Sequence, residues 1–144
     1  MLEQARADEL IAMAKRLVDT SQIRFPGAGD FLQLDVKSDD GRESFIFDVN
    51  RKGRLKLSKC TYQERYAVVE ILIRLDIDGP PHQNPDGAEL PCPHIHIFRE
   101  GAGTKWSYPL PPEFTDTSDL VKTLREFLRY CNVSEVPPIQ KSIN

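Results

Sequence analysis

A chain of 144 residues and 16.4 kDa falls in the ordinary range of one domain, long enough to bury about two-thirds of its unfolded surface. Hydrophobic residues at 40% and charged residues at 28% exclude a disordered or fibrous chain. A net charge of −3 and a pI near 5.6 exclude a protein that coats nucleic acid through a wholly basic surface, leaving room for a local basic stripe.

Met1 leads into an amphipathic stretch of mixed charge, so no secretory signal is expected, and no apolar run reaches membrane-spanning length. Leu10, Ile11, Ala14, Leu17 and Val18 recur at helical spacing and predict an N-terminal helix reaching to Val18. Pro26, Gly27 and Gly29 then break the chain. Leu32, Leu34 and Val36 alternate with polar neighbours, as do Phe45, Phe47 and Val49, and turn residues at 39–41 separate the two runs. After a second turn at 50–53, Leu55 and Leu57 continue the alternation, so a three-stranded meander is expected. Val69, Ile71, Ile73, Leu75 and Ile77 predict the strongest strand.

Gly79 to Pro93 is rich in proline and turn formers and predicts a long ordered loop. His94 to Arg99 reads as a strand, 101–103 as a hairpin turn, and Lys105 to Tyr108 as the returning strand that Pro109 stops, which brings Arg99 near Lys105. Thr115 or Thr117 is expected to cap a final helix with Leu120, Val121, Leu124, Phe127, Leu128 and Cys131 as its buried stripe. The whole predicts an α+β fold, an antiparallel sheet of about six strands flanked by an N-terminal and a C-terminal helix. A single domain over 1–136 would precede a loose tail over 137–144.

The three histidines fall in one short stretch, and His94 and His96, at i and i+2 of a strand, share a face. Several readings follow from that pair. A metal reading takes His94, His96 and Glu100 as ligands, with His82, Cys92, Asp76 or Asp78 completing the sphere. The spacing H-x-H-x-x-x-E resembles the first motif of cupin barrels, although no histidine follows His96. The alternating histidines also resemble those of the histidine triad nucleotide-binding family, but Phe98 stands where the third would be. A metal-free reading uses His94 and His96 as acid and base for phosphodiester cleavage, with Arg99 and Lys105 stabilising the phosphorane and Trp106 or Tyr108 stacking a base. Size and element order are loosely similar to small ribonuclease toxins.

The run from Asn50 to Lys59 holds Arg51, Lys52, Arg54, Lys56 and Lys59, followed by Tyr62. It would track a phosphate backbone, or keep an edge strand soluble. Asp76 and Asp78 share a strand face with Arg74 and would orient a histidine or bind a cation. Cys60, Cys92 and Cys131 are widely spaced without a C-x-x-C pair, which fits a reducing cytoplasm.

Three motifs taken together, L-D-I-D-G-P-P-H-x-N-P-D-G at 75–87, P-H-I-H-I-F-R-E-G at 93–101 and K-W-x-Y-P-L at 105–110, resemble an uncharacterised family of small bacterial and prophage proteins. The resemblance extends to N-R-K-G-R-L-K-L-S-K-C-T-Y-Q at 50–63 and implies a mobile-element setting for a toxin, nuclease or inhibitor of defence. The reading that combines these features is a nucleic-acid-directed protein, a metal-free endoribonuclease of toxin type. His94, His96, Arg99 and Lys105 would be catalytic, and Arg51, Lys52, Arg54, Lys56, Tyr62, His82, Trp106 and Tyr108 would bind RNA. It needs no cofactor and no membrane. The alternatives are a noncatalytic protein-interaction module presenting the proline-rich loop and the 99–106 hairpin, and a divalent-metal enzyme using His82, His94, His96 and Glu100.

Overall fold

The computed structural model describes residues 1–52 and 58–141. Over these residues it is an α+β fold with two helices and a mostly antiparallel sheet of eight strands rather than six. The first helix, α1 (Gln4–Ala12), is shorter than its apolar periodicity suggests, because Met13 turns extended at ψ 139° and the chain enters β1 (Lys15–Leu17). Lys15 explains the stop: its Nζ donates to the carbonyls of Ile11 and Met13, both at 3.0 Å, satisfying acceptors that a continuing helix would have paired. Leu17 is therefore a buried strand residue, while Val18 is exposed.

The sheet continues through β3 (Phe31–Ser38), β4 (Ser44–Asn50), β5 (Thr61–Tyr66), β6 (Glu70–Asp76), β9 (His94–Ile97) and β10 (Ser107–Pro109). Between them, β2 (Ile23–Arg24) stands apart, and β7 (His82–Gln83) pairs with β8 (Glu89–Leu90) inside the long loop. The final helix α2 (Leu120–Tyr130) leads into β11 (Val133–Ser134) and β12 (Ile139–Gln140). Strand order is β10-β9-β6-β5-β4-β3-β1-β11, antiparallel except where β1 and β11 run parallel.

Leu55 and Leu57, expected to form the third meander strand, lie outside the described residues. The strand that pairs with β4 is β5, which sequence alternation did not reveal because buried Tyr62 and Glu64 alternate with half-buried Gln63 and Arg65. The α2 cap is Asp119, whose side chain accepts from the Lys122 amide, rather than Thr115 or Thr117. Thr115 instead donates its hydroxyl to Glu126 at 2.8 Å. Where a loose tail was expected, Ile139–Gln140 pairs in parallel with Ile23–Arg24.

Helix α2 covers one face of the sheet, setting Phe127 against Phe47 and Tyr62 with ring centres 6.0 and 5.9 Å away. Tyr62, expected to contact RNA, is a core residue whose hydroxyl donates to the Leu120 carbonyl at 2.7 Å. The same core encloses Lys15 and Glu64, both 0% exposed, with Nζ 3.2 Å from Oε2. Lys15 gives its three protons to the carbonyls of Ile11, Met13 and Cys131 and so faces Glu64 mainly as a counter-charge, with the Cys131 thiol beside the same carboxyl. Burial pushes the Glu64 carboxyl up to about 7 despite the opposing pull of Lys15.

Candidate functional site

Register fixes what the opposite face carries. With Phe47, Tyr62, Leu75 and Ile95 turned toward the core, the alternate residues form two rows running across the strands. One row is Phe31, Asn50, Thr61, Asp76 and His94; the other is Gln33, Asp48, Gln63, Arg74, His96 and Ser107. The β6 and β9 ends of the two rows meet at a polar cluster. His94 is 2% and His96 0% exposed, because the 77–93 loop and the 98–106 hairpin fold over this end of the sheet. Asn84 from the loop holds that cover down, bonding Ser107 through its backbone amide and carbonyl at 2.8 and 3.0 Å.

Backbone carbonyls orient both histidine rings. His96 Nδ1 lies 2.7 Å from the Thr104 carbonyl and so donates its proton there, leaving Nε2 as the lone-pair nitrogen of the neutral ring. His94 Nδ1 lies 3.2 Å from the Pro91 carbonyl, with Cys92 Sγ 3.7 Å away. Both Nε2 atoms then face one oxygen, Asp76 Oδ2, at 3.2 Å from His94 and 3.3 Å from His96. Three electron-rich atoms converging on one point require a positive group between them, either a proton or a metal ion.

Arg74 supplies part of that charge, with Nη2 3.1 Å from His96 Nε2 and Nε 3.2 Å from Asp76 Oδ1. Burial raises the Asp76 carboxyl, but when the imidazoles are protonated a hydrogen bond from His96 and the charges of Arg74, His96 and His94 outweigh it and hold the group at about 2. His82 closes the cluster, its ring centre 4.6 Å from that of His96 and its Nε2 2.7 Å from the Lys105 carbonyl. A cleft of about 410 Å³ opens onto His94, Asp76, Arg74 and His82, with Lys59 and Cys92 also on its wall.

The other expected site residues lie elsewhere. Arg99 stacks on Trp106 at 4.1 Å and donates to the Tyr108 hydroxyl at 3.1 Å. Tyr108 pairs with Ile95, on the face opposite His94 and His96, so this trio is separated from the imidazoles by the sheet. Lys105 gives the site its carbonyl, while its side chain is exposed. Glu100 exchanges bonds of 2.7 and 2.9 Å with Gln4 at the start of α1 and is replaced in the cluster by Asp76. Arg51 donates to the Pro26 carbonyl at 2.9 Å, Lys52 sits 4.8 Å over the Phe31 ring, and Arg54 and Lys56 lie outside the described residues. Among the described residues, the cations on the wall of this cleft are Arg74 and Lys59, which sequence reasoning had not assigned to the site. The signal for Arg74 was its spacing from Asp76 on one strand face.

Fold and site together define an α+β domain with a covered His-His-Asp cluster at the end of a polar sheet face. The chain matches a family of unknown function, DUF6978, over residues 2–133, and belongs to that family. No curated protein and no solved structure matches it. Among the described residues no helix is long and apolar enough to cross a membrane.

Proposed function

We propose that this protein is a metal-dependent hydrolase of phosphate esters whose centre is held by His94, His96 and Asp76. The observation that carries the reading is the anchoring of both Nδ1 atoms on main-chain carbonyls, which aims both Nε2 lone pairs at the Asp76 carboxylate. Metal-binding histidines are held in this way, the outer nitrogen donating so that the inner one ligates. The three ligand atoms lie within 4.8 Å of one another, and closing on an ion at the usual 2.0–2.2 Å needs movements of about 1 Å. Two imidazoles and a carboxylate suit zinc, iron or manganese. A divalent ion there supplies Lewis acidity to a bound water or phosphoryl oxygen. Arg74 and Lys59 on the cleft wall match an anionic substrate, and His82 is placed to hold or move a proton at the leaving group.

The contact between Arg74 Nη2 and His96 Nε2 favours a second reading, a metal-free acid–base site on RNA in which Arg74 takes the phosphate-stabilising part first given to Arg99 and Lys105. Thermal unfolding of chelator-treated protein separates the two. Under the metal reading, zinc at a hundredfold excess over its dissociation constant stabilises the wild type by about 2.7 kcal/mol, and Asp76→Asn abolishes the effect. Under the metal-free reading zinc gives no shift, and the chelated protein cleaves RNA.

A further inference from the structure

The cleft at the histidines continues along the sheet. A second cleft of about 320 Å³ shares Asn50 and Thr61 with the first and extends it over Gln33, Gln63 and Phe31. Its floor is the row from His94 through Asp76, Thr61 and Asn50 to Phe31, four strand spacings long, or about 19 Å. We infer that this trough binds single-stranded nucleic acid, with Phe31 as its stacking platform and the His94 end as the place where a phosphodiester is presented. The substrate class rests on the hydrolase reading, but the binding does not.

Phe31 is 56% exposed at the end of a row that is otherwise polar, an arrangement that packing does not require. Lys52 Nζ stands 4.8 Å over its ring, so an aromatic face and a cation occur together, as a stacked base with its phosphate needs. Between Phe31 and the histidines the floor offers the amides of Gln33, Asn50 and Gln63, which both donate and accept and so suit base edges. Gln63 and Arg65 also bond Asp48, Arg65 with contacts of 2.6 and 3.0 Å, so Arg65 is neutralised within the floor. Among the described residues, the cations left for phosphates are Lys52 and Lys59, with Arg74 shared between Asp76 and the bound strand. Unpaired bases are required because a platform lying flat on a sheet cannot reach into a stacked duplex.

The test is fluorescence anisotropy of short labelled oligouridine and oligothymidine on chelator-treated protein, with a duplex of equal length as control. We expect saturable binding of single strands over duplex, weakened about tenfold by Phe31→Ala and restored by Phe31→Trp. Neutralising up to three phosphates gives a slope of log affinity against log salt of about −2. A preference for oligouridine over oligothymidine identifies RNA as the source of the strand. Absence of single-strand binding, or binding indifferent to Phe31→Ala, overturns the inference. Because no metal is present, a protein that binds oligonucleotide but takes up no metal overturns the metal centre alone, and one that takes up metal but binds no strand overturns the trough alone.

Discussion

Replacing Glu64 by glutamine should change how stability depends on pH more than it changes the fold. In the folded protein burial holds the Glu64 carboxyl at about 7, against an ordinary value of 4.5. Between those values the native state binds a proton that the unfolded chain does not. Glu64 therefore contributes stability that is fully present below about 4.5 and lost as pH rises through about 7. The displacement corresponds to about 3 kcal/mol, an upper range for a group that faces Lys15 at 3.2 Å. Asp76, held at about 2, loses its contribution only in stronger acid and stays out of this window. Urea midpoints of wild type and Glu64→Gln, measured from about pH 5 to about pH 8, should thus diverge, the variant gaining roughly 1–2 M over the wild type as pH rises. A constant difference across the window would refute the buried, raised carboxyl assigned to Glu64.

Val68 turns the β5–β6 hairpin at φ +71° and is 59% exposed, so Val68→Gly relieves a left-handed backbone without losing packing. The gain should be about 0.5–1 kcal/mol in urea unfolding after glycine's extra unfolded-state freedom is subtracted, and a loss of stability would contradict it. Arg99→Ala removes the stack on Trp106 and the Tyr108 bond. It should cost about 0.5–1 kcal/mol in thermal unfolding and leave zinc-induced stabilisation intact, since Arg99 lies across the sheet from the imidazoles.

Much of the architecture was legible where burial alternates cleanly. Val36, Phe47, Val49, Ile73 and Leu75 announced β3, β4 and β6, and the Phe127 stripe announced α2. The strand β5 was hidden for two physical reasons. Its inward positions include Tyr62 and Glu64, and its hairpin turns on Ala67 and Val68 at positive φ without any glycine or asparagine to mark it. The N-terminal helix was read too long because Leu17 suits a helical stripe and a strand equally, and nothing local shows that Lys15 will be buried across both helix ends.

At the site, the i, i+2 spacing of His94 and His96 correctly put both rings on one face. What could not be read was which carboxylate and which cation would join them. Glu100 matched the spacing but the chain turns after Ile97, whereas Asp76 and Arg74 reach the histidines through β6–β9 register, a non-local pairing. The same register sent Tyr108 and its partner Arg99 to the other face.

The most direct test is elemental analysis of protein purified without chelator and again after reconstitution with zinc, iron or manganese, comparing wild type with Asp76→Asn and His94→Gln, each checked for native folding by circular dichroism. One divalent ion per chain in the wild type, lost from both variants, is the result predicted by a centre built on His94, His96 and Asp76. Folded wild type that holds no ion at saturating metal, or variants that retain the full amount, would contradict it.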